Sequence, residues 1–257
     1  MNLLIAAAEA AADVAGAAIR PFFRASIPAD QKSDRSPVTI ADRTAEQAMR
    51  AVLAERFPEH GILGEEFGLD RPDARMRWVL DPIDGTRAFI TGRATFGTLI
   101  ALLEDGVPIV GVIDQPVTGE RWIGARGQVT RFRGAMGGRV GTRRCPSLAD
   151  AELSATAPEM FTVDDATRWN RLRDSVRRNY WGGDCYAHGL LAIGQIDIVA
   201  EADMKIWDWA PLSVIIEGAG GRVTDWNGQQ LRADGDGRVL SVGDPALLDQ
   251  AVALLRS

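Results

Sequence analysis

Short apolar runs that each end in acidic residues are the feature that most restricts how this chain can fold. Segments 60–68 (HGILGEEFG) and 77–85 (RWVLDPIDG) read as strands that deliver Glu65, Glu66, Asp81 and Asp84 to a sheet edge. Two further acids stand in helical segments, Asp42 in 39–58 and Asp208 at the head of 208–220. Carboxylates gathered at one rim repel one another, and burying them is costly unless cations fill the gap. Oxygen ligands without a Cys/His cluster select hard ions, Mg2+, Mn2+ or Ca2+, over zinc or copper.

The rest of the chain supplies the scaffold for those runs. Leu4, Ala8, Ala11, Ala15 and Ile19 recur at helical spacing and Pro21 ends the pattern. Glu9 and Asp13 interrupt this apolar segment and no basic region precedes it, so neither a signal peptide nor a membrane span is expected. Ala41, Ala45, Ala48, Val52 and Leu53 line one side of the second helix. Residues 96–116 read as a hairpin turning at Glu104-Asp105-Gly106, and 121–134 extend the β-rich stretch. Further on, strands at 151–157 and 177–183 flank a helix near 164–176. A short helix (185–194), a strand (196–202), the helix 208–220 and a strand (221–226) follow. Strands alternate with helices in both halves, so the class is α/β or layered α+β.

Composition narrows the function classes. At 257 residues, 46% hydrophobic and 25% charged, the chain is long enough for a sizeable core and unlike a disordered or fibrous one. A net charge of −6 with no basic run excludes a nucleic-acid partner. Cys145 and Cys185 form neither a disulfide framework nor a zinc motif, which fits a reducing cytoplasm.

The segment Asp81-Pro82-Ile83-Asp84-Gly85-Thr86 is the sharpest signal. Pro82 restricts the backbone so that Asp81 and Asp84 can face one metal pair, and Ile83 offers only its carbonyl or packing. Gly85 and Thr86 open a helix N-terminus, where free N–H groups favour a phosphate. Metal ions beside an anion cradle suit transfer of a phosphoryl group to water. The plainer alternative is that these Asp residues only cap a helix.

The set GEEFG, DPIDGT and WDWAPLSVIIEGAGG resembles the inositol monophosphatase superfamily of Mg2+-dependent, lithium-sensitive phosphomonoesterases, over nearly the whole chain. RWVLDPIDGTRAFITG, GVIDQP and YAHGLLAIGQIDIVAEADMKIWDWAPL look most like its histidinol-phosphatase branch. The resemblance implies an α+β fold, a layered αβαβα sandwich in a single domain, usually as a homodimer. It implies a metal- and phosphate-binding half over roughly 1–140 and a substrate-binding half over 141–257 that carries the last ligand. Glu65, Asp81 and the Ile83 carbonyl would hold a first Mg2+, and Asp81, Asp84 and Asp208 a second. A weaker third would lean on Glu65, and Mn2+ could substitute. Asp42 and Thr86 would orient the attacking water, with Glu65 beside them, and the backbone of Gly85 and Thr86 would hold the phosphate.

The implied substrate is L-histidinol phosphate, in histidine biosynthesis. Its ammonium would meet Asp184, where the inositol enzymes tend to carry small neutral residues, and Glu201, at the family's substrate-contacting position. An inositol or broad sugar monophosphatase is the alternative within enzymes, and a non-catalytic metal- or phosphate-binding scaffold the alternative outside them. Glu66 reads as a solvated neighbour, and Trp207 and Trp209 as packing. His60 and His188 read as structural, and Cys185 as a small buried hydrophobe. Lys32 and Lys205 are the only lysines and flank the motifs, where a compact ammonium could serve a metal-bound water.

Overall fold

Alanine decides the outer layer. α1 (Asn2–Ile19) buries Ala7, Ala8, Ala11, Ala12 and Ala15, and α2 (Ile40–Arg56) buries Ala41, Ala45 and Met49. The small alanine side chains let the two helices lie close together over a sheet. The computed structural model describes residues 1–25, 30–31 and 37–256. Between the helices run two short paired strands, β1 (Asp30–Gln31) and β2 (Pro37–Val38). Residues 2–22 have the length and mean hydropathy, 1.5, of a membrane-crossing helix, yet their alanine face is buried inside this fold.

The sheet beneath has seven strands, and its outer pair is β4 (Gly68–Asp70) and β3 (Gly61–Gly64). Then come β5 (Met76–Asp84), β6 (Gly97–Glu104), β7 (Val107–Gln115), β8 (Glu120–Ala125) and β9 (Arg131–Arg133). Only β3 and β5 pair in parallel. The expected hairpin is β6–β7, turning at Asp105 and Gly106, both with positive φ. Its strands are near-continuous apolar runs because helices cover both faces.

A second sheet has the order β11 (Arg178–Trp181), β10 (Glu152–Ala155), β12 (Ile198–Glu201), β14 (Val239–Val242), β13 (Arg222–Thr224). α5 (Asp184–Ala192) and α6 (Ile206–Gly218) lie between the sheets, while α4 (Val163–Arg173) and α7 (Leu248–Arg256) cover the far side. A single turn, α3 (Thr86–Ile90), follows β5. Three buried clusters fill the four interfaces between the five layers, the middle cluster packing α5 and α6 against both sheets, which confirms the expected αβαβα sandwich. The sequence reading stopped at residue 226 and did not foresee β14 or α7, which complete the second sheet and its cover.

Close approach of α6 to the first sheet positions the chemistry. A Cβ at Gly111 would sit 2.3 Å from the Pro211 carbonyl oxygen, and one at Gly124 2.6 Å from that of Val214. Only glycine lets the helix rest directly on β7 and β8, and this contact brings its N-terminal Asp208 to the end of β5.

Candidate active site

Three acids from two elements converge. Asp81 and Asp84 end β5, Asp208 stands in the first turn of α6, and their oxygens lie within 4.8 Å of one another. In a regular strand, residues three apart point to opposite faces. Here the pairing with β6 runs from Asp81↔Leu99 to Asp84↔Gly97, so β5 carries one extra residue, a bulge that turns Asp84 to the side of Asp81. Pro82, expected to restrict the backbone so that the two acids can face one metal pair, lies within this bulge. Pro82 has no N–H to lose from the ladder, which suits it to the bulge, and its carbonyl accepts the Thr98 hydroxyl at 2.8 Å.

Each acid is held by a backbone N–H. Asp81 Oδ1 accepts from Ile83 at 3.0 Å, Asp84 Oδ2 from Cys185 at 2.7 Å, and Asp208 Oδ2 from Lys205 at 2.7 Å. Glu65 joins them because its N–H continues the β3–β5 ladder onto the Leu80 carbonyl at 3.1 Å, one residue before Asp81. Burial first, then the charge of Glu65, Asp84 and Asp208, lifts the Asp81 carboxyl well above the usual range. Burial and the charges of Asp208 and Asp184 do the same to Asp84. Burial and the charges of Glu65 and Glu201 push Asp208 up to about 7. An all-oxygen donor set so costly to ionise unaided fits hard divalent cations, which would neutralise it.

Asp42 is buried beside this cluster. It closes a capping box at the head of α2, its Oδ2 accepting from the Thr39 N–H at 2.8 Å and the Thr39 hydroxyl at 2.5 Å. Burial raises its carboxyl despite those bonds, and the charge of Glu65 adds to the rise. Gly85, at φ +81°, caps α3, and the Thr86 hydroxyl donates to the Ile83 carbonyl at 3.1 Å.

A cavity of about 410 Å3 opens from Asp84, Thr86 and Asp208 toward Asp184, His188 and Glu201. Glu201 accepts the Thr156 N–H at 2.8 Å through one oxygen, and the other lies 3.2 Å from His188 Nε2. The opposite ring nitrogen of His188 is 3.1 Å from the Ser241 hydroxyl. Asp184 accepts the Thr95 hydroxyl at 2.8 Å; burial raises its carboxyl, aided by Glu201 and opposed by Arg93 and Arg87.

A model of the inositol monophosphatase family matches residues 1–256. The chain belongs to this family. It is 43% identical to the bifunctional phosphatase IMPL2 of Arabidopsis thaliana over 264 residues, covering 99% of this chain and 75% of that protein. It is 39% identical over 202 residues to a histidinol-phosphatase of Mycobacterium tuberculosis, covering 77% and 78%. An inositol monophosphatase from Zymomonas mobilis superposes with a TM-score of 0.89 at 49% identity, covering 98% of this chain and 97% of that one. The family is one of metal-dependent phosphatases, and this chain is a phosphatase of it.

Other expected residues fall as follows. Lys205 Nζ pairs with exposed Asp203 at 2.5 Å, and Lys32 lies outside the described residues. The Cys185 thiol is wholly buried, and burial followed by the charge of Asp84 raises it far above a nucleophile's range. Trp209 packs between the sheets with Trp207 against it, and His60 stacks on Phe57 at 4.7 Å. His188, read as structural, lines the cavity and holds Glu201; its i+4 spacing from Asp184 on one helix was the available signal. Glu46 was missed altogether, although it follows Asp42 by the same interval on α2.

Proposed function

We propose that the chain is a Mg2+-dependent phosphomonoesterase that hydrolyses L-histidinol phosphate to L-histidinol and phosphate, acting as a cytoplasmic homodimer in histidine biosynthesis. One observation carries the substrate choice. Glu201 and Asp184 are buried acids in the wall of the cavity, outside the cluster of Asp81, Asp84 and Asp208, as a pocket for a cationic alcohol requires. Relatives named histidinol-phosphatases at 33–39% identity support the same reading.

Glu65, Asp81 and the Ile83 carbonyl are assigned to one ion, and Asp81, Asp84 and Asp208 to a second, with a weaker third against Glu65. When bound, these ions supply positive charge against the phosphate oxygens and make a water more acidic. Asp42 and Thr86 orient that water for in-line attack. The amides of Gly85 and Thr86 hold the phosphate. Glu201, itself fixed by His188 and Thr156, receives the substrate ammonium together with Asp184. The division into a metal half and a substrate half near residue 140 belongs to the same proposal.

Phosphate release from histidinol phosphate, inositol 1-phosphate and a nucleotide 3′-phosphate, each with and without Mg2+, tests it. Histidinol phosphate is expected to have the highest kcat/KM, with Mg2+ required throughout. A higher kcat/KM for either of the others overturns the substrate assignment, and activity in EDTA overturns the metal assignment.

A further inference from the structure

α2 carries a charged stripe, buried Asp42 and Glu46 and half-buried Arg50, at successive intervals of four residues. Asp42 has a place in the proposed reaction. Glu46 is wholly buried and is not among the residues that line the cavity, yet its carboxylate is the anchor of the turn that presents Glu65. Its Oε2 accepts the Glu66 N–H at 2.7 Å, and its Oε1 accepts the Phe67 N–H at 3.2 Å and Arg50 Nε at 2.7 Å. The Arg50 guanidinium reaches on to the Gly68 carbonyl, closing the clamp on the far side of the turn.

A second observation, from the residue before Glu65, points the same way. A Cβ built on Gly64 would lie 1.9 Å from Glu46 Oε1, so the carboxylate occupies the space that any other residue type would need. Glu65 is thereby pinned from both sides. Its own N–H is tied to Leu80 on β5, and the next N–H is tied to Glu46 on α2.

We propose that Glu46 is a positioning residue for the metal site: its carboxylate fixes the turn 64–67 so that Glu65 meets Asp81 in the arrangement a cation needs. The inference rests on the assignment of Glu65 as a ligand. A buried carboxylate with three charge-assisted or backbone donors is well satisfied. An amide in its place could accept at only one oxygen and would turn its NH2 toward a donor. Groups that orient metal ligands from behind contribute about 10- to 100-fold to metal affinity.

The test is calorimetric titration of the metal-free full-length chain with Mg2+, in wild type, Glu46→Gln, Glu65→Gln and the double variant. Glu46→Gln is expected to weaken Mg2+ binding by about 10- to 100-fold. That loss should vanish in the Glu65→Gln background, because Glu46 acts through Glu65. Mg2+ affinity within about twofold of wild type overturns the proposal, as does a loss that persists undiminished without Glu65, which would mean bare charge acting on the whole cluster. Gly64→Ala, which displaces the same carboxylate, is read identically and decides the matter if Glu46→Gln fails to fold. Absence of Mg2+ binding by wild type would overturn the metal assignment itself, a result distinct from failure of Glu46 to affect binding.

Discussion

Asp81 and Asp84 stand three residues apart on one strand, yet a single-residue bulge against β6 puts their carboxylates in one cluster with Asp208. The bulge turns two strand residues into a pair of facing carboxylates. It also creates a site whose charges oppose the metal-free fold, and the first two predictions follow from that opposition.

Asp84→Asn or Asp208→Asn should abolish phosphatase activity and at the same time stabilise the metal-free protein. The amide keeps an acceptor for the Cys185 or Lys205 N–H while removing one buried like charge. If that relief is worth about 1 kcal/mol, the melting temperature in EDTA rises by about 2–4 °C. Near-wild-type activity in either variant at low Mg2+ would show the ligand set to be wrong.

Stability of the metal-free protein should fall as pH rises through the neutral range. Asp81, Asp84 and Asp208 are raised in the folded state, Asp208 to about 7, by burial and mutual repulsion. Between the ordinary carboxylate value of about 4 and that point, the folded state binds more protons than the unfolded one, so stability declines with increasing pH. Melting scans in EDTA at about pH 5.5 and about pH 8 should show the lower value at pH 8, and saturating Mg2+ should shrink the difference. A metal-free protein more stable at pH 8 contradicts the proposed origin of these shifts.

Thr86→Ala should lower kcat by about 100-fold with little change in KM, because the hydroxyl is assigned to the attacking water and not to the resting substrate. Thr86→Ser, which retains the hydroxyl beside the Ile83 carbonyl, should recover most of the loss. A raised KM at unchanged kcat would reassign Thr86 to phosphate contact.

Substrate choice is tested by a ratio, kcat/KM for histidinol phosphate over that for an uncharged-alcohol phosphate. Glu201→Gln or Asp184→Asn should lower it by about 10- to 150-fold, the equivalent of one charge-assisted hydrogen bond of about 1.5–3 kcal/mol. General damage to the metal site cancels in the ratio. An unchanged ratio in both variants removes the ammonium contact and favours a broad-specificity phosphatase.

Local chemistry made much of this molecule legible before any coordinates. The alanine repeats of α1 and α2, the β6–β7 hairpin and the acid-tipped strands depend on neighbours within a few residues, so periodicity reveals them. Asp42, Glu65, Asp81, Asp84 and Asp208 stood out in motifs for the same reason. β14 was less legible because a four-residue central strand carries too little pattern to separate it from a buried helical turn.

What the sequence by itself determined was the kinds of element and the chemistry at their tips. Which groups meet was decided only in three dimensions. The Cys185 N–H reaches Asp84 across 101 residues, and Thr156 reaches Glu201 across 45. The bulge after Asp81 depends on its pairing with β6, and the burial of Glu46 on the turn from β3 folding back over α2. The physical reason is that side-chain spacing along a chain sets only which face a residue occupies. Desolvation, charge repulsion and hydrogen-bond satisfaction arise from neighbours that only the layered packing brings together.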